Sequence, residues 1–166
     1  MLVMTTTTPA PTPTRGWLSP EQQRIWRQWM LAKTRIEDYL DAALTDYGLS
    51  LDEYELLVRL SESEGFTLRM GELADQVRHS RSRLTHTIAR MEKRGLVVRR
   101  KCSSDGRGVE AALTKEGLNL LKRAAPAHVD SVREVFVDAI DPKDFAALGR
   151  GMEQVLAVAD AALEAR

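Results

Sequence analysis

The sequence predicts a mainly α-helical protein carrying one small β-hairpin, and three observations predict it. Apolar residues recur at three- and four-residue spacing along most of the chain, and a Ser, Thr or Asp stands just ahead of most of these stripes. Residues of strand type flank a Gly-rich turn once, between positions 96 and 113. At 166 residues and 43% apolar composition the chain has one domain's worth of length, enough to bury a core.

Taken in order, residues 1–16 are rich in Thr, Pro and Ala, cannot offset their ordering entropy by burial, and are expected to form a disordered tail. Ser19-Pro20-Glu21-Gln22 is a capping box with Pro at the first helical position, opening a helix over residues 19–47 that Gly48 stops. Its stripe, from Ile25, Trp26, Trp29 and Met30 to Ile36, Tyr39, Leu40, Leu44 and Tyr47, runs about seven turns. A stripe that long asks for another subunit or a second long helix as neighbour. Ser50-Leu51-Asp52-Glu53 is a second capping box, and Tyr54, Leu57 and Leu60 face inward until Ser63-Glu64-Gly65 ends that helix.

The elements then shorten. Residues 70–77 carry Leu73, Ala74 and Val77 on one face, His79-Ser80 supplies a turn and an N-cap, and residues 81–94 form the next helix before Gly95. Two short helices joined by a tight turn make a helix-turn-helix. Residues 96–100 and 109–113 read as strands around a tip at 101–108, which places a hairpin directly behind it. Thr114 caps a long helix with Leu118, Leu121, Ala125, Val129, Val132, Phe136 and Ala139 inward, and Pro126 is expected to kink it. Asp141-Pro142-Lys143-Asp144 opens a last helix whose stripe is Phe145, Leu148, Met152, Val155, Ala159 and Leu163.

Formal charge balances at 24 basic and 24 acidic residues, but not evenly along the chain. Residues 67–108 hold eleven Lys and Arg against four Asp and Glu, a net +7, which leaves the remainder at −7. A basic block on an acidic scaffold suits a polyphosphate partner, because clustered cations release counterions from nucleic acid. The same count also fits a helical protein-binding module that docks its basic face on an acidic partner. No apolar run approaches the roughly 20 residues of a membrane span, and no export signal opens the chain, so a cytoplasmic protein with no membrane association is expected. Cys102 alone permits neither an internal disulfide nor a thiolate zinc site, and His79, His86 and His128 are too scattered for metal ligands. Its neighbours Arg99, Arg100 and Lys101 favour a thiolate, yet Cys102 reads as a plain loop residue. With no nucleophile elbow, phosphate loop or paired acids, the chain is read as no enzyme and as needing no cofactor.

On helix 81–94 at 100° per residue, Leu84, Ile88 and Met91 define the inward face. The opposite face holds Ser82, Thr85, His86, Ala89, Arg90 and Lys93, hydrogen-bonding types around one small residue, as a helix lying in a major groove needs. Ser82, Thr85, His86 and Arg90 are expected near bases. Ser80, Arg81, Lys93 and Arg94 are expected at phosphates, where the helix N-terminus adds its own field. Arg107 at the hairpin tip is suited to the adjacent minor groove, with Asp105 orienting a nearby guanidinium.

These residues resemble the MarR-type winged helix regulators. The resemblance is carried by Glu72-Leu73-Ala74, by Ser80-Arg81-Ser82-Arg83-Leu84-Thr85, by Arg90-Met91-Glu92-Lys93-Arg94-Gly95-Leu96-Val97, and across the wing by Asp105-x-Arg107 followed by Leu113-Thr114. It implies a winged helix-turn-helix domain at about 50–113 within a MarR-type domain at 17–166, with dimerisation helices at about 19–47 and 114–165. It further implies a homodimer on a palindromic double-stranded operator, acting mostly as a transcriptional repressor, with Arg107 in the minor groove. Many similar proteins release DNA when a small aromatic or phenolic acid binds between the dimer helices and the reader. Trp26, Trp29, Lys33 and Tyr54 are the candidate contacts for such an effector, although aromatic residues at helical spacing equally suit a core. The wing argues against the protein-docking alternative.

Overall fold

All but one of the α-helices open on a side chain that takes an orphan amide of the first turn. In the computed structural model, which describes residues 16–77, 80–102 and 108–165, helix α1 (Pro20–Leu44) starts with Gln22 N donating to Ser19 Oγ at 3.2 Å while Ser19 N donates to Gln22 Oε1 at 2.9 Å. The helix tightens into one 3-10 turn, Thr45–Tyr47, and stops at Gly48 in the left-handed conformation, φ +65°. Helix α2 (Leu51–Glu62) carries the expected box between Ser50 and Glu53. Helix α3 (Met70–Gln76) lacks a side-chain cap, whereas α4 (Arg81–Lys93), α5 (Lys115–Val132) and α6 (Pro142–Glu164) are capped by Ser80, Thr114 and Asp141. The tail at 1–15 and the turn residues Arg78 and His79 lie outside the described residues.

Two compact units divide the chain at Thr34 and Arg35. In the first, Trp17, Ile25, Trp26, Trp29, Met30 and Leu31 are exposed apolar side chains. The second holds the core, where Leu44, Leu56, Leu57, Leu60, Leu73, Leu84, Ile88, Met91 and Val97 are fully buried. The inward positions expected on α2, α3 and α4 are all among its buried residues.

The hairpin is not a free pair of strands. Strands β1 (Thr67–Arg69), β2 (Val97–Lys101) and β3 (Val109–Leu113) form one antiparallel sheet in the order β1-β3-β2, with Leu68 opposite Ala111 and Val97 opposite Leu113. The three residues of β1 are too few to show an alternating pattern, and pairing with β3 supplies the backbone bonds that make them a strand. Strand β2 also runs one residue further than expected, into Lys101. Cys102 follows it and is buried at 7% exposure, its N–H donating to Gly108 O at 2.8 Å, so it is a packed residue at the wing's root and not a plain loop residue.

That root is joined tightly to α5. The Thr114 hydroxyl lies 2.7 Å from Gly95 O and 3.0 Å from Leu96 O, and it also accepts the Gly117 amide. A Cβ at Gly117 would meet Leu96 O at 2.2 Å, so only glycine fits this crossing. Beyond it, α5 buries Leu120, Leu121, Ala124 and Ser131, a face rotated from the expected one, and Val129 is half exposed. The helix passes Pro126 and ends at Val132, followed by a π turn at Arg133–Val137 where a continuous helix was expected. Tyr39 Oη donates to Glu134 Oε2 at 2.8 Å there. Helix α6 has no buried residue, and Val155, Leu156, Val158 and Leu163 stand exposed on it.

Candidate nucleic-acid interface

Helix α4 sets the interface. Leu84, Thr87, Ile88 and Met91 anchor it in the core, which turns Arg81, Ser82, Thr85, His86, Arg90 and Lys93 to the surface and leaves Ala89 half-buried. At its start Ser80 Oγ accepts the Arg83 amide at 3.2 Å, and Thr85 Oγ1 donates to Arg81 O at 2.8 Å. Ser80, Arg81, Ser82, Thr85, His86, Arg90 and Lys93 thus share one exposed side and the N-terminal edge of a single helix. Among the described residues Arg81 and Lys93 have no ion-pair partner. Asp105 and Arg107 lie outside the described residues.

Several other cations are held by acids of the protein. Arg83 pairs with Asp52, Arg94 Nη1 with Glu53 Oε2 at 3.0 Å, Arg99 with Glu92 and Arg100 Nε with Glu110 at 2.6 Å. With Arg90 Nε 3.8 Å from Glu53, five basic residues of the block face a carboxylate among the described residues, in four cases one on an element outside α4 and β2, so the field at the surface is weaker than the count along the sequence. Arg94, expected at a phosphate, has both terminal nitrogens engaged, since Nη2 donates to Gly48 O at 2.7 Å. That is an internal role. Its partners stand 41 and 46 residues away, and no local spacing signals them.

The wing is fastened to the same helix. Glu92, in the last turn of α4, accepts Arg99 N at 2.8 Å, Arg99 Nε at 2.9 Å and Arg99 Nη2 at 2.7 Å. The side-chain bonds from Arg99, then its backbone amide, hold the Glu92 carboxyl below its ordinary pKa, so the carboxylate form persists. Across the sheet, Arg100 also donates from Nη2 to Thr67 Oγ1 at 3.1 Å. These acid partners are the contacts that the sequence reading missed.

The proposed effector contacts fall in different units. Trp26, Trp29 and Lys33 are exposed on the first unit. Tyr54 is 7% exposed in the second, its ring 4.3 Å from that of His128, and lines a cavity of about 380 Å³ with Leu51, Val58, Arg59 and His128. Burial lowers the His128 pKa and raises that of Tyr54. Among the described residues Arg59 Nε and His128 Nδ1 are buried there without a hydrogen-bond partner, while Arg59 Nη2 lies 3.7 Å from Glu55 and Nη1 3.9 Å from Glu62, both also lining the cavity. Among the described residues no three His, Cys, Asp or Glu side chains gather to hold a metal, and no helix is long and apolar enough to cross a membrane.

The family model for the MarR family matches residues 49–109, from just before α2 to the first residue of β3. AbsC, a MarR family transcriptional regulator from Streptomyces coelicolor, superposes with a TM-score of 0.82 at 39% identity, over 88% of this chain and 99% of that one. Sco3205, a MarR family regulator from the same organism whose structure is a complex with DNA, does so at 0.79 and 46% identity, over 84% and 92%. The HTH-type transcriptional regulator PrsX of Escherichia coli is 26% identical over 118 residues, 70% of this chain and 71% of that protein.

Proposed function

This chain belongs to the MarR family of transcriptional regulators, and from that premise we propose that it binds a palindromic double-stranded operator as a cytoplasmic homodimer and represses transcription. The carrying observation is the exposed side of α4, where hydroxyls, an imidazole and cations surround the small Ala89. Ser82, Thr85, His86 and Arg90 meet base edges, and Ser80, Arg81 and Lys93 meet phosphates. Arg107 is assigned to the minor groove, and Asp105 to its support, on the motif they occupy. A second copy of the chain covers the apolar side chains left exposed on α6, a role that the dimerisation helices at about 19–47 and 114–165 share.

A small aromatic acid is the effector this reading favours, taken up at the Tyr54 cavity. Its ring lies against Tyr54 and His128, and its carboxylate takes Arg59 in competition with Glu55 and Glu62, which line the same cavity. Calorimetric titration with benzoate and 4-hydroxybenzoate tests this, and a Tyr54→Ala variant that binds either acid as wild type does removes the assignment.

Fluorescence anisotropy tests the DNA reading, using the fragment that flanks the protein's own gene against a scrambled control at two salt concentrations. Tight, salt-sensitive binding to the native fragment alone is expected; equal weak binding to both discards it. In the same assay Arg107→Ala is expected to weaken binding by about 1–3 kcal/mol and to flatten its salt dependence, while Thr85→Ala changes which bases are preferred.

A further inference from the structure

Glu53 is a charge in an apolar place. It is 6% exposed, on the same helix as the buried Tyr54, Leu56, Leu57 and Leu60. A buried carboxylate persists where cations and hydrogen bonds replace the water it has lost. Here one oxygen, Oε2, accepts Ser50 N at 3.3 Å and Arg94 Nη1 at 3.0 Å, and Arg94 in turn reaches Gly48 O. The other oxygen, Oε1, faces Arg90 Nε at 3.8 Å.

Arg90 is placed differently from Arg94. Its side chain is 61% exposed, and Glu53 is its one ion-pair partner among the described residues. Arg83, Arg90 and Arg94 share one flank of α4, beside the face that carries Ser82, His86 and Lys93. An ion pair made through Nε leaves the two Nη nitrogens of a planar fork, whose spacing matches O6 and N7 of guanine in the major groove. A guanidinium held from behind by a fixed carboxylate also loses less freedom on meeting that edge.

We propose that Glu53 is a positioning residue for base recognition: its Oε1 orients Arg90 so that the two Nη donors meet one guanine, while its Oε2, through Arg94, locks α4 to the Gly48 turn. The proposal rests on the reading of α4 as the major-groove helix.

Duplexes selected from a random-sequence pool by the full-length wild-type protein supply the probe. Each guanine of the selected consensus is then replaced in turn by 7-deazaguanine, which lacks the N7 acceptor but pairs normally. One replacement per half-site is expected to weaken wild-type binding roughly tenfold. E53Q retains an oxygen for Ser50 N and Arg94, and is expected to bind the unmodified consensus roughly tenfold more weakly while no longer sensing that replacement. R90A behaves the same way, the double variant is no worse than R90A, and the salt dependence and the response to other guanines stay as in wild type. A merely structural role would instead weaken every duplex alike and leave the sensitivity intact, which overturns the proposal. So does an R90A protein that keeps every base preference. Should E53Q melt far below wild type, E53D serves the same comparison, because it keeps the charge and the cap but withdraws the carboxylate from Arg90; retained sensitivity there also overturns the proposal. A wild-type protein that selects no consensus overturns the major-groove reading itself, and this proposal with it.

Discussion

Helices α4 and α6 carry the same kind of apolar stripe and meet opposite fates. On α4, Leu84, Ile88 and Met91 vanish into the core; on α6, Val155, Leu156 and Leu163 stay in water. The periodicity is equal in kind, so the difference lies in what the chain offers each helix as a neighbour: α2, α3 and the sheet surround α4 in three dimensions, whereas α6 lacks a single buried residue. An amphipathic pattern says that a face is to be covered. It does not say by which molecule.

The comparison can be pushed hardest through the core. Ile88→Ala is expected to lower the unfolding free energy by roughly 2–5 kcal/mol, read from urea denaturation, because the packed side chains around it cannot collapse fully into the space. Val155→Asp sharpens the other half. It is expected to shift sedimentation at micromolar concentration from dimer to monomer while changing the stability of a monomer by under about 0.5 kcal/mol. A monomeric wild type, or a Val155→Asp protein that remains dimeric, removes α6 from the dimer interface.

Smaller effects are expected where the wing's root meets α5. Thr114→Ala loses the α5 cap and the hydroxyl contacts at the wing's root, and a cost of about 1 kcal/mol in thermal unfolding is expected. The smallest effect is one of pH. Burial holds the His128 pKa below its ordinary 6.5, so as pH falls through that value the unfolded chain takes the proton first. Stability is then lost until pH reaches the folded value, and constant below it. Urea midpoints at pH 7.5 and 5.5 should show this decline in wild type and a smaller one in His128→Gln.

What could be read from the sequence was what neighbours in sequence decide. The caps at Ser19, Ser50, Ser80 and Thr114, the Gly48 stop and the outward face of α4 all follow from residues within a few positions of one another. Contacts between distant residues left no such trace. Strand β1 exists because β3 pairs with it, and Arg94 reaches Glu53 only because the fold brings the end of α4 beside the start of α2. The face chosen by α5 was misread for a related reason: Leu118 and Val129 fit the helical period as well as Leu120 and Ala124 do, and packing against α2 decides between them. The wing contact at Arg107 rests on its motif, since that residue lies outside those described.

The three bonds from Arg99 to Glu92 make the end of α4 and the first strand of the wing a single stiff piece. On the proposed reading, α4 and the root of the wing therefore meet DNA as one body of fixed shape. On that reading a duplex that does not fit this shape must bend or twist to be gripped, and the elastic work depends on its base steps, including ones that no side chain touches. The proposed function thereby hands part of the choice among DNA sequences to the stiffness of the DNA.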